Sequence, residues 1–185
     1  RAGPLPVDGP RSIRLHYPIR IPPSSAASEL TLQLAAVDDG GALVTLDLGR
    51  IRLEQRPRQM APAAMPVAGR VDFGDALALE GWGVEQSCSD GERRIRLQLQ
   101  WHAKQIVEIP YTVFVHVLDS EGRLLGQDDS QPRRGEYPTT AWAPGEYVTD
   151  QVEVRLGASV LDTPARVIVG WYDARTGARL PASGG

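Results

Sequence analysis

Apolar and polar side chains alternate along most of this 185-residue chain with a repeat of two, the period of extended strands whose successive side chains point to opposite faces. The plainest stretch puts Ile95, Leu97, Leu99 and Trp101 on one side and Arg94, Arg96, Gln98, Gln100 and His102 on the other. One face is therefore expected to be core and the other solvent. Nearer the start, Ile13, Leu15, Tyr17, Ile19 and Ile21 alternate with Arg14, His16, Pro18 and Arg20. Pro18 lacks an N–H for the ladder, which confines that strand to an edge or bulge. Leu30, Leu32, Leu34 and Ala36 follow against Thr31 and Gln33, then the turn Asp38-Asp39-Gly40-Gly41 and an apolar run over 43–53, a hairpin pattern. The same reading predicts strands over 76–84, 111–118, 123–127, 148–156 and 165–172, with turns over 87–91, 119–122 and 173–177. The stretch 111–118 is apolar on both faces, Val113, Val115 and Val117 opposing Phe114, His116 and Leu118, and is expected to be covered on both sides.

Residues 56–68 contain Pro57, Pro62 and Pro66 among small side chains and show no period, the signature of an extended linker. This divides the chain into N-terminal strands (1–58), a Pro-rich linker (59–69) and a main domain (70–185). An internal echo relates 15–41 to 151–177, each running strand, loop, strand and an Asp- and Gly-bearing turn. Residues 1–58 are thus either the tail of a preceding module or strands that complete the main sandwich. The second is preferred, because a lone tail leaves an apolar sheet face uncovered. The fold class expected is all-β, a two-sheet antiparallel β-sandwich of jelly-roll or immunoglobulin-like type.

Composition narrows the function classes. A net charge of -3 lacks the clustered basic surface that nucleic acid requires, and no apolar run approaches the roughly 20 residues of a membrane helix. The chain opens on Arg1 without a signal-like apolar segment, and is expected to be an excised soluble piece. Cys88 is the single cysteine, so there is no intrachain disulfide and no cysteine-based zinc site.

Trp101, the strand YTVFVHVLD, the hairpin SEGRLLGQDD, then GEYPTTAW, PGEYVTD and VGWYDARTGARLP form an ordered series. It resembles the soluble β-sandwich module at the carboxyl end of large bacterial membrane glycosyltransferases, Chloroflexi-type enzymes of the protein-mannosyltransferase-like class. The resemblance spans about residues 76–182. It implies an accessory, extracytoplasmic domain attached to a membrane-embedded parent, with the catalytic carboxylates in that parent and none carried over here.

Several side chains are candidates for chemistry. Tyr137 and Trp142 lie in the Pro-, Gly- and Thr-rich excursion before the strand over 148–156, where loops commonly display binding residues. With Tyr147 they suit a sugar, since an aromatic face stacks on a pyranose, while Trp101 and Trp171 fall on core parity. Arg133 and Arg134 offer bidentate donors to a phosphate or acidic sugar, or form a solvated loop pair. Asp128, Asp129 and Asp150 suit calcium if their oxygens converge; otherwise such turn acids cap amides or face arginines. No other cofactor is expected. His116 reads as a structural histidine, and Glu108, Glu136 and Glu146 as the members available for a hydrolytic carboxylate pair. Three readings stand: a non-catalytic module binding glycan or glycosyl acceptor, a purely structural or protein-interaction module, and a glycoside hydrolase.

Overall fold

The structure, a computed structural model, describes residues 21, 27–37, 40–54, 56–89, 92–156 and 166–184. The strand expected over 13–21 lies outside these residues except for Ile21. The Asp38-Asp39 turn acids, part of the 87–91 turn and much of the internal echo lie outside them as well.

Ten strands are present among the described residues. β1 (Glu29–Val37) and β2 (Leu43–Arg52) form the expected hairpin, paired antiparallel with a bulge between Leu32 and Gln33. They make a two-stranded sheet of their own. β3 (Val67–Phe73), β4 (Leu77–Ser89), β5 (Glu92–Ala103), β8 (Tyr147–Leu156) and β10 (Ala182–Gly184) build a five-stranded antiparallel sheet in the order β10-β3-β4-β5-β8. β6 (Thr112–Leu118) is flanked by β7 (Leu124–Ser130) and β9 (Arg166–Tyr172) in a three-stranded one. The two stack as a β-sandwich not closed into a barrel, the architecture that the period-two pattern predicts.

The chain crosses between layers after β5, β7, β8 and β9, so the crossings stitch both sheets around one core. That core follows strand parity. Ile95, Leu97, Leu99 and Trp101 of β5 are buried, as are Val148, Val152 and Val154 of β8 and Val113, Val115 and Val117 of β6. Trp101 meets Trp171 of β9 edge-on at 4.5 Å between ring centroids, joining the two sheets. Phe73 abuts Trp101 at 5.9 Å and Trp142 abuts Trp171 at 6.0 Å, so an aromatic column runs through the middle of the sandwich. Edge-to-face ring pairs contribute about 0.5–1.5 kcal/mol each beyond their buried area.

Two expectations are corrected. The stretch foreseen as a linker over 59–69 is docked: β3 begins at Val67 inside it, and the residues before β3 lie against the five-stranded sheet as a strap. Gly81 and Gly83 make room for it, since a Cβ on Gly81 would stand 2.9 Å from Met65 and one on Gly83 2.9 Å from Pro66. Prolines lock an extended path that suits a sheet surface as well as a free tether. The second correction concerns β6. Among the described residues its Phe114, His116 and Leu118 face carries no further layer; Phe114 is buried locally beneath Arg179, while His116 is partly open to solvent.

Removing the Trp171 side chain empties the centre of the column. Trp171→Ala is expected to lower unfolding free energy by about 3–5 kcal/mol, measured by urea denaturation. A loss below about 1 kcal/mol, the ordinary range for uncritical positions, would show that the sheets are held together elsewhere.

Candidate functional site

Between β7 and β8 the chain bridges the two sheets through 3-10 turns at Pro132–Gly135 and Thr139–Ala141. Tyr137 and Trp142 belong to this excursion, and the structure buries both, to 5% and 0% exposure. The expected sugar platform on these two rings is therefore not formed. The reason is position: the excursion closes the mouth of the sandwich, and its large apolar rings plug the core instead of facing outward. The Trp142 indole N–H donates to the Tyr137 carbonyl at 2.9 Å, while its ring continues the aromatic column.

The polar ends of this plug are satisfied internally. The Tyr137 hydroxyl donates to Glu146 Oε1 at 2.6 Å and accepts from Arg58 at 2.9 Å. Glu146, only 2% exposed, pairs through Oε2 with Arg58 and accepts the Ala143 amide at 2.8 Å. Arg58 also donates to the Ala141 carbonyl, so the strap supplies the cation that makes a buried carboxylate tolerable. Burial first, and then the bond to Glu146, push the Tyr137 phenol up to about 12. Glu108 and Glu136 are exposed and Glu146 is neutralised in this knot, so the sequence's carboxylate candidates are not joined as a hydrolytic pair.

The remaining candidates disperse. Tyr147 lies on the outer face of the five-stranded sheet, its ring stacked on His102 at 4.4 Å. Arg133 and Arg134 both adopt left-handed backbone, φ 52° and 57°, a conformation that L residues hold only when their surroundings impose it. The Asp150 carboxylate does part of that, accepting the Arg133 amide at 2.8 Å. Arg133 lies over the Tyr137 ring and Arg134 pairs with Asp128 at 2.6 Å.

The three aspartates do not converge as calcium ligands. Asp128 stands opposite Val115 and Asp129 opposite Phe114, so these neighbours project to opposite faces of β7, as strand geometry requires. Asp150 is buried on the core face of β8, where burial pushes its carboxyl up against the opposing pull of the Arg133 and Gln151 amides. Among the described residues no group of three or more metal-ligating side chains occurs.

An open site appears where the sequence foresaw a covering layer. On the outer face of the three-stranded sheet, Phe114, His116, Asp129, Tyr172, Gly177 and Arg179 line a cleft of about 310 Å³. Register brings them together: Phe114 opposes Asp129 on β7 and Gly170 on β9, while Thr112 opposes Tyr172. Gly170 is required here, because a Cβ would come within 2.4 Å of the Phe114 ring. His116 Nε2 lies 3.5 Å from Asp129, and burial first, then the neighbouring Asp129 carboxylate, push the Tyr172 phenol up. The Arg179 guanidinium lies 4.7 Å over the Phe114 ring and has no carboxylate partner among the described residues. The cleft thus offers the half-buried Tyr172 ring, one carboxylate, one imidazole and the exposed Arg179 cation, while Phe114 itself is buried beneath that cation. Sequence reasoning had Phe114, His116 and Asp129 in view as separate residues. The pairing of Phe114 with both Gly170 and Asp129 was the missing signal, and it exists only once strand order is known.

Comparison with protein-family models gives no match, and comparison with curated proteins gives none. Among solved structures, the chain aligns with the variable (V) domain of the Streptococcus agalactiae AgI/II polypeptide BspA. The alignment has 10% identity, covers 85% of this chain and 95% of that one, and has a TM-score of 0.19.

The knot around Glu146 predicts two measurable effects. Glu146→Gln leaves the Arg58 cation without its acid, at an expected cost of about 3 kcal/mol, read by chemical denaturation. With the native Tyr137 phenol raised from 10 to about 12, stability is full below pH 10 and falls as the pH climbs, because the unfolded chain loses this proton first. Tyr137→Phe should flatten that part of the fall, and an unchanged alkaline slope in the variant would contradict the assignment.

Proposed function

We propose that this chain is a non-catalytic accessory β-sandwich of an extracytoplasmic, membrane-attached glycosyltransferase, and that it holds a glycan or glycosyl acceptor on the outer face of its three-stranded sheet. The observation that carries the reading is the cleft of Phe114, His116, Asp129, Tyr172 and Arg179. Its volume lies at the lower end of small-molecule pockets, about 300–1,000 Å³, which suits a ring-sized ligand. The half-buried Tyr172 ring receives the C–H face of a pyranose, and the carboxylate and the Arg179 cation meet hydroxyls. Asp129 is the one carboxylate in the lining, where glycoside hydrolysis uses a pair, and this favours holding over cutting. Attachment to a membrane parent is supported by the resemblance over residues 76–182.

A second reading, a structural or protein-interaction module, is favoured by β1 and β2, whose Leu34, Val37, Leu43, Val44, Leu46 and Leu48 are exposed. An exposed apolar cluster of that kind marks a contact surface.

A glycan array separates the two. The wild-type chain is expected to retain saccharide ligands, and Asp129→Ala to weaken them about tenfold, the loss of a hydrogen bond to a charged group. No retention of any glycan by the wild type would discard the recognition role in favour of scaffolding.

A further inference from the structure

We infer that the cleft on the three-stranded sheet selects an acidic sugar, a pyranose carrying a carboxylate such as a uronic acid; this rests on the reading of that cleft as a saccharide site. Three observations lead there. The Arg179 guanidinium lies at the cleft, held over Phe114, with no carboxylate partner among the described residues, whereas Arg70, Arg94, Arg96, Arg123 and Arg134 all spend their donors on acids of this chain. A planar guanidinium fixed against a ring matches a carboxylate through two parallel hydrogen bonds. The second observation is that Asp129 already faces His116 and the Tyr172 hydroxyl. Its remaining acceptor capacity is met by sugar hydroxyls, which donate.

The third is charge. With Asp129 in the same small cleft, a dianion such as a phosphate monoester sets two negative charges against the one already there. A carboxylate brings one, which Arg179 offsets. The sugar ring then spans the space between Arg179 and Asp129, its carboxylate toward the first and its hydroxyls toward the second, against the Tyr172 ring.

The test is a titration followed by amide chemical shifts of His116 and Gly177, using methyl β-D-glucuronide, methyl β-D-glucoside and glucose 6-phosphate as probes. The expected result is binding of the glucuronide about tenfold or more tighter than the glucoside, with that preference lost in Arg179→Gln, the scale of a charge-assisted hydrogen bond. Arg179→Lys keeps the charge but not the fork and should recover part of the preference. Equal binding of glucuronide and glucoside overturns the acidic-sugar inference while leaving the saccharide site in place. Tighter binding of glucose 6-phosphate overturns it in favour of phosphate. No shift with any probe overturns both the inference and the site on which it rests. Arg179 is exposed, so its substitution leaves the core untouched, and the dispersion of the wild-type spectrum checks that the variant is folded.

Discussion

The edge-on contact between Trp101 and Trp171 brings together a tryptophan from each of the two stacked sheets, and most of the core is arranged around it. Phe73 approaches from the five-stranded side and Trp142 from the closing excursion. Each layer therefore contributes an aromatic ring to one contiguous column. Interiors pack at crystal-like density, so a column of this bulk sets the separation of the sheets and hence where every strand-borne side chain ends up. The cleft on the far side of β6 inherits its geometry from that arrangement: Val113, Val115 and Val117 are drawn to the column, and parity then sends Phe114 and His116 outward.

The excursion between β7 and β8 shows how a polar, Gly- and Pro-rich segment becomes core. Its apolar rings fill the mouth of the sandwich, and the polar atoms they carry inward are met by the strap residue Arg58, the buried Glu146 and nearby backbone. Its strained left-handed pair, Arg133 and Arg134, is held by Asp150 and Asp128 on two different strands. The loop is thus tied down at several points, which suits a closure better than a mobile binding arm.

Much of the fold was legible because one face of most strands is buried and the other wet. The hairpin over Glu29–Arg52 and strands β5, β8 and β9 follow from alternation, as does the burial of Trp101 and Trp171, while β6 follows from its continuous apolar run. β3 and β10 were missed: one begins among prolines and small residues, and the other is three residues long, and neither carries enough alternation to register. The candidate site was less legible. Tyr137 and Trp142 were read as displayed because Gly, Pro and Thr surround them, yet composition does not tell whether a loop leaves the body or crosses its open end. Apolar character on both faces of β6 suggested a covering layer. What satisfies its outer face is instead local, Phe114 lying flat against Gly170 beneath Arg179, an arrangement that depends on strand neighbours far apart in the chain.

The strap also bears on where this body can be cut. Arg58 precedes the first strand of the sandwich, but its guanidinium neutralises Glu146 in the interior some ninety positions later in the chain. A fragment trimmed to start at residue 67 would keep every strand of both stacked sheets and still leave a lone anion at its heart. The autonomous unit therefore reaches upstream of its own first β-strand, and a boundary drawn from strand limits alone would sever a counter-ion from its charge.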